Sequence, residues 1–191
     1  MPRIRKHMGS AGRRPTQASQ PAGWLERLHD GTPIRVRAIR KQDAGLELEF
    51  LNRLSPERRG SRFIGLVRDP DPDVARDLTD LDPARSAGFI AVVTNDGRDQ
   101  QIGAAHFRVN AKGDACDCSL AVIEIWQNRG VGSLLMRQLI EAARKRGIRR
   151  MRAFAPAHLS DSPDHLAERL GFKRRLDSRD PASVTYELRL G

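Results

Sequence analysis

The chain has 191 residues, with 34 Lys and Arg against 24 Asp and Glu, a net charge of +10 and a pI near 10.8. A chain of this length buries a core without covalent staples, and its two cysteines, Cys116 and Cys118, are too few for a disulfide framework. No apolar run approaches the roughly 18 residues of a membrane helix, and the basic N-terminus lacks the apolar stretch of a secretory signal, so a cytoplasmic protein is expected.

Residues 1–23 carry five Arg and Lys and no acid among Gly, Ser, Pro and Gln. Such a segment buries too little surface to offset its ordering entropy and is expected to be a disordered basic tail. Residues 24–191 are then expected to form a single domain. Ile34, Val36 and Ala38 alternate with Arg35 and Arg37 at the period of a half-buried strand. Asp43 opens a helix whose apolar face is expected from Leu46, Leu48, Leu51 and Leu54. Ser55-Pro56-Glu57 reads as a second helix start, with Ser55 as N-cap and Pro56 at the first position. Residues 69–86 read as loop with a short helix near Val74–Leu81.

Three strands follow: Phe89–Thr94, Ile102–Val109 and Ala115–Ile125, the last expected to be the longest. Asn95-Asp96-Gly97-Arg98 and Lys112-Gly113-Asp114 supply the turns of this antiparallel meander. From Gly130 to Arg146 the apolar residues recur as Val131, Leu135, Leu139 and Ala143, with Glu141 and Lys145 paired on the wet side and Gly147 as C-terminal cap. Met151–Ala155 reads as a strand, Pro163–Leu170 as a short helix, Phe172–Leu176 and Val184–Leu190 as closing strands, with Asp180-Pro181 turning between them. Cys116 and Cys118 are expected to be free or packed thiols, because nothing else completes a metal site.

The stretch Gln127-Asn128-Arg129-Gly130-Val131-Gly132-Ser133 lies between the long strand and the long helix. Two glycines there let backbone approach a ligand, and the open N–H groups of the first helical turn favour an anion. A phosphate-binding P-loop is excluded, since no G-x-x-x-x-G-K-[ST] string occurs. A dinucleotide fingerprint is excluded too, because Leu135 stands where its third glycine belongs.

This Q-x-x-G-x-G string, with Ala167-Glu168-Arg169-Leu170-Gly171-Phe172 and the segment Ile34–Ala44, resembles the GNAT superfamily of N-acetyltransferases across roughly residues 32–190. Leu54-Ser55-Pro56-Glu57 followed by Arg62-Phe63 is similar to a segment of the bacterial Pat-type protein lysine acetyltransferases. The resemblance implies a mixed α/β fold: a mostly antiparallel central sheet of about seven strands, splayed between the fourth and fifth and flanked by helices. It implies acetyl-CoA as co-substrate, no metal, and transfer to a primary amine, either a protein lysine or a small molecule. Homodimerisation stays open. Leu120, Ala121 and Val122 would meet the pantetheine, while Asn128, Arg129, Gly130, Val131, Gly132 and Ser133 would hold the pyrophosphate. Ser160 takes the place of a cofactor-binding Asn.

Asp117 stands where Pat-type enzymes carry a Glu, making it one candidate base, and Glu124 is the second. Ala167 stands where many relatives carry a tyrosine acid, and Tyr186, the only tyrosine, does not match it. His158 and His165 flank the same region. A CoA-binding sensor with little catalysis is the alternative reading. Nucleic acid is not the expected partner, since aromatics form only 5% of the chain and no recognition motif occurs.

Overall fold

The computed structural model describes residues 23–56, 70–156, 161–177 and 180–191. The expectations for the basic tail up to residue 22, for the helix continuing from Glu57, and for Arg62, Phe63, His158 and Ser160 lie outside the described residues.

In chain order the elements are β1 (Trp24–Arg27), β2 (Pro33–Ala38), α1 (Ala44–Arg53), α2 (Pro72–Thr79), β3 (Ser86–Asn95), β4 (Arg98–Val109) and β5 (Ala115–Val122). There follow α3 (Val131–Lys145), β6 (Arg150–Pro156), α4 (Asp161–Arg169), β7 (Lys173–Asp177) and β8 (Asp180–Arg189). The strands form one eight-stranded sheet in the order β1-β2-β3-β4-β5-β6-β8-β7. Every pairing is antiparallel except β5 with β6, the pair joined by the α3 crossover.

The mixed, mostly antiparallel sheet is as expected, with one more strand at its edge. β1 pairs Trp24 with Val36 and Arg27 with Pro33, which moves the splay to the fifth and sixth strands while leaving it between the same two segments. β3 and β4 meet at a two-residue turn in which Asp96 (φ 49°) and Gly97 (φ 75°) take left-handed conformations, matching the twist of the flanking strands. β8 begins at Asp180, so the expected turn at Asp180-Pro181 is already strand.

Each face of the sheet carries its own core. On one side, Val131, Leu135, Met136, Leu139, Ile140 and Ala143 of α3 pack against Ile102, Phe107, Cys116, Cys118 and Met151. The Glu141–Lys145 pair lies on the outer side of α3 at 2.7 Å, and Gly147 closes the helix at φ 71°. On the other side, α1 and α2 cover Ile90, Val92, Ala104, Ala121 and Ile123.

The inward face of α1 differs from expectation. It is Glu47, Phe50 and Leu51, with Leu54 just beyond, while Leu46 and Leu48 are only half-buried. Glu47 is tolerated there because Gln101 Nε2 donates to its Oε2 at 2.6 Å, a hydrogen bond within the core. Beside it, Arg37 meets Asp43 bidentately at 2.6 and 2.8 Å, and Arg40 N–H donates to the same carboxylate at 2.8 Å. This pair fixes the entry of α1 against β2.

Candidate acyl-thioester site

β5 runs beside β6 only from Ala115/Arg150 to Cys118/Ala153. Beyond that register the two strands have no pairing, although β5 continues to Val122 and β6 to Pro156. A wedge therefore opens between them. Ile123 N–H donates to Ile102 of β4 at 3.0 Å, so by strand alternation the backbone of Leu120 and Val122 faces the wedge and that of Ala121 faces β4. Ala121 instead places its side chain in the α1-side core.

β5 is shorter than expected, and β4, with 12 residues, is the longest strand. Gln127 Nε2 donates to the Val122 carbonyl at 3.0 Å, and the chain leaves the sheet through a 3-10 turn at Glu124–Trp126. Glu124 thus lies off the strand, at the open end of the wedge, where its Oε1 accepts from Ser55 N–H at 3.4 Å.

The next loop places Asn128 (φ 57°) and Gly130 (φ 102°) in left-handed conformations and delivers the chain into α3. Leu134 N–H, bonded to the Gly130 carbonyl at 3.1 Å, begins the helical ladder. The N–H groups of Val131, Gly132 and Ser133 precede it, no acidic side chain occupies this first turn, and the positive end of the helix dipole points the same way. Gly132 has a steric role as well. A Cβ there would lie 3.2 Å from Leu166 Cδ2 and 3.3 Å from Leu120 Cδ2.

A cavity of about 390 Å³ joins this helix start to the wedge. Of the sequence-predicted residues, Leu120, Ala121, Val122, Asn128, Gly130, Gly132 and Ser133 line it. Val131 does not, since its side chain is 1% exposed in the core. Arg129 is also turned away from the cavity. Its guanidinium pairs with Asp30 in the β1–β2 turn and lies 4.4 Å from the centroid of the Trp126 ring. Asp30 is held well below the usual carboxylate range, first by the Thr32 N–H, then by the Thr32 hydroxyl and Arg129.

Further lining residues include Gln127 of the motif itself and, from elsewhere in the chain, His29, Arg169 and Tyr186. Arg169 Nη2 lies 3.4 Å from Ser133 Oγ, which places a cation near the start of α3. Tyr186 is buried on β8 and donates to Asp164 Oδ1 at 2.5 Å; burial, followed by that bond, pushes its hydroxyl up to about 12. Its proton is committed to α4. Ala167, in the place expected of a tyrosine acid, also lines the cavity, as does His165.

The two candidate bases are not brought together. Asp117 precedes the end of the β5–β6 pairing, and its side chain lies on the α1 side of the sheet with those of Ser119 and Ala121. Arg152, its register partner on β6, donates Nε and Nη2 to Asp117 Oδ1 at 2.9 and 2.8 Å. Asp117 therefore flanks the closed end of the wedge, and Glu124 its mouth. Cys116 and Cys118 are free and buried. Burial above all pushes the Cys116 thiol up to about 12 and raises that of Cys118 as well. Among the described residues no cluster of His, Cys, Asp or Glu forms a metal site, and no helix is long and apolar enough to cross a membrane.

Comparison with known proteins agrees with this geometry. The acetyltransferase (GNAT) family model matches residues 48–172. An acetyltransferase of Pseudomonas aeruginosa is 33% identical over 167 residues, covering 87% of this chain and 89% of its own. The GNAT domain of S. lividans PAT superposes with a TM-score of 0.76 at 25% identity, over 90% of this chain and all of that domain. A GNAT-family acetyltransferase from Streptococcus pneumoniae shares the fold, with a TM-score of 0.61 at 20% identity over 83% of this chain and 99% of its own.

Proposed function

The chain belongs to the GNAT family of acyl-CoA-dependent N-acetyltransferases, and from that premise we propose that it moves an acetyl group from acetyl-CoA to a primary amine, with a protein lysine as the acceptor. The wedge between β5 and β6, continuous with the α3 N-terminus, carries the reading. The open N–H groups at Val131–Ser133 hold the pyrophosphate. The backbone of Leu120 and the N–H of Val122, whose carbonyl is already taken by Gln127, bond the pantetheine as a strand would. Between Val122 and Ser119 the strand rises about 10 Å, so a ligand anchored at the helix start brings its acyl end to the closed apex of the wedge.

Acetyl-CoA, when bound, supplies an activated thioester. The acceptor amine reaches the apex from the α1 side, where Asp117 is the nearer carboxylate, and Asp117 takes the ammonium proton directly or through one water. Arg152 holds that carboxylate in place. Glu124, seven residues along at the mouth, steadies the end of α1 through Ser55. The resemblance of Leu54-Ser55-Pro56-Glu57 and Arg62-Phe63 to the Pat-type protein lysine acetyltransferases, beside the superposition on the GNAT domain of S. lividans PAT, supports a protein acceptor. Incubation with radiolabelled acetyl-CoA and a panel of proteins, peptides and small amines tests the reading, and label on protein lysines is the expected result. Label on small amines alone overturns the acceptor class. CoA binding without any transfer overturns the enzyme reading in favour of a sensor.

A further inference from the structure

The resemblance counts Arg129 among the residues that would hold the pyrophosphate, and its guanidinium is engaged with Asp30 and Trp126. That engagement has a second effect. It fastens the β1–β2 turn onto the glycine loop, where His29 N–H also donates to the Arg129 carbonyl at 3.4 Å. The turn is itself braced: Thr32 N–H donates to Asp30 Oδ1 at 3.0 Å, Leu28 N–H to the Thr32 carbonyl at 3.0 Å, and Arg27 Nη1 to the Gly31 carbonyl at 3.0 Å. What it presents to the cavity is the His29 imidazole. His29 Nε2 lies only 3.2 Å from where a Cβ on Gly130 would stand, and the side chain lines the cavity beside Gly130 and Ser133.

Resting on the acyl-CoA reading, we propose that His29 is a phosphate-binding residue, donating from Nε2 to the pyrophosphate held at the start of α3. Arg129 then acts as a positioning residue, setting His29 over the loop through Asp30. Three features support this division. The imidazole stands directly over the residue whose missing side chain leaves the loop open. The backbone donors of Val131–Ser133 approach an anion from beneath, leaving its outer oxygens to a donor above. Arg169, near Ser133, lies on a different element and leaves the Gly130 side to His29.

The test compares acetyl-CoA with acetyl-pantetheine, which carries the same thioester and no pyrophosphate. His29→Ala should weaken CoA binding by about tenfold in calorimetry, the loss expected for a hydrogen bond to a charged group. It should raise KM for acetyl-CoA while leaving kcat/KM for acetyl-pantetheine unchanged. His29→Gln, which keeps a donor, should recover part of the affinity. Asp30→Ala should reproduce the His29→Ala pattern more weakly, because it releases the turn. Unaltered CoA affinity in His29→Ala overturns the proposal. Equal losses with both thioesters overturn it too, since they indicate a structural effect. A wild-type chain that binds no CoA refutes the acyl-CoA reading itself, an outcome visible before any variant is made.

Discussion

Replacing Asp117 with Asn separates a catalytic carboxylate from a structural one by magnitude. The Asp117 and Arg152 side chains are 26% and 38% exposed, so their ion pair is screened and contributes at most about 1 kcal/mol to folding. For a chain of this size that corresponds to a fall in Tm of roughly 2–4 °C. Loss of a general base costs about a hundredfold in rate, equivalent to about 2.7 kcal/mol of barrier, which exceeds the structural effect. The expected outcome is therefore a large drop in kcat for Asp117→Asn with KM for acetyl-CoA unchanged and only a small shift in melting. Asp117→Glu should retain turnover. Steady-state transfer to a lysine peptide, with CoA release followed by a thiol reagent, measures both. The assignment fails if Asp117→Asn lowers kcat by less than about tenfold, and it moves to Glu124 if Glu124→Gln produces the large drop instead.

Gly132→Asp should abolish CoA binding by placing a carboxylate among the Val131–Ser133 N–H groups, whereas Gly132→Ala should bind with modest loss, because its Cβ meets only the movable ends of Leu166 and Leu120. Calorimetry with CoA decides it, and an Asp variant of wild-type affinity refutes the cradle. Arg37→Met strands the buried Asp43 carboxylate and should cost about 3–5 kcal/mol, a fall in Tm on the order of 10 °C; adding Asp43→Asn should recover part of it. A shift of a degree or two would show that the pair contributes little. At pH 8 the Cys116 thiol, pushed up by burial to about 12, and the similarly raised Cys118 should stay protonated and unreactive toward thiol reagents until the chain is denatured. Rapid labelling of the native protein would contradict that burial.

Where a residue's position is set by a local period or cap, it is legible in the sequence. The α3 stripe, Gly147 at φ 71° and the Asp96-Gly97 turn all follow from spacing and chain chirality, and each is found where expected. The glycine loop is legible for the same reason, with Gly130 at φ 102° turning the chain into α3 between the strand and helix expected on either side. β1 is not, because Trp24 and Leu25 are 48% and 77% exposed and its four residues show no alternation. What stabilises it is pairing with β2, which leaves no mark in side-chain pattern. The end of β5 misleads in the opposite way: Ile123 and Ile125 continue the apolar alternation, but Gln127 takes the Val122 carbonyl and turns the chain out.

Charged residues are hardest to read, because their setting depends on partners far along the chain. Glu47 is not part of the apolar face expected from Leu46, Leu48, Leu51 and Leu54, yet it is buried, with its donor supplied by Gln101, 54 residues on. Arg129 reads as a phosphate ligand until Asp30, 99 positions earlier, draws its guanidinium to the β1–β2 turn. The same contact that draws the Arg129 guanidinium to the β1–β2 turn fastens that turn to the glycine loop, and the proposed role of His29 follows from it. In the proposed site the local motif supplies the backbone donors for the anion. The turn after the edge strand, invisible to periodicity, supplies the side chain proposed to join them, and exchanging the β1–β2 turn between relatives should therefore alter cofactor affinity without touching the glycine loop.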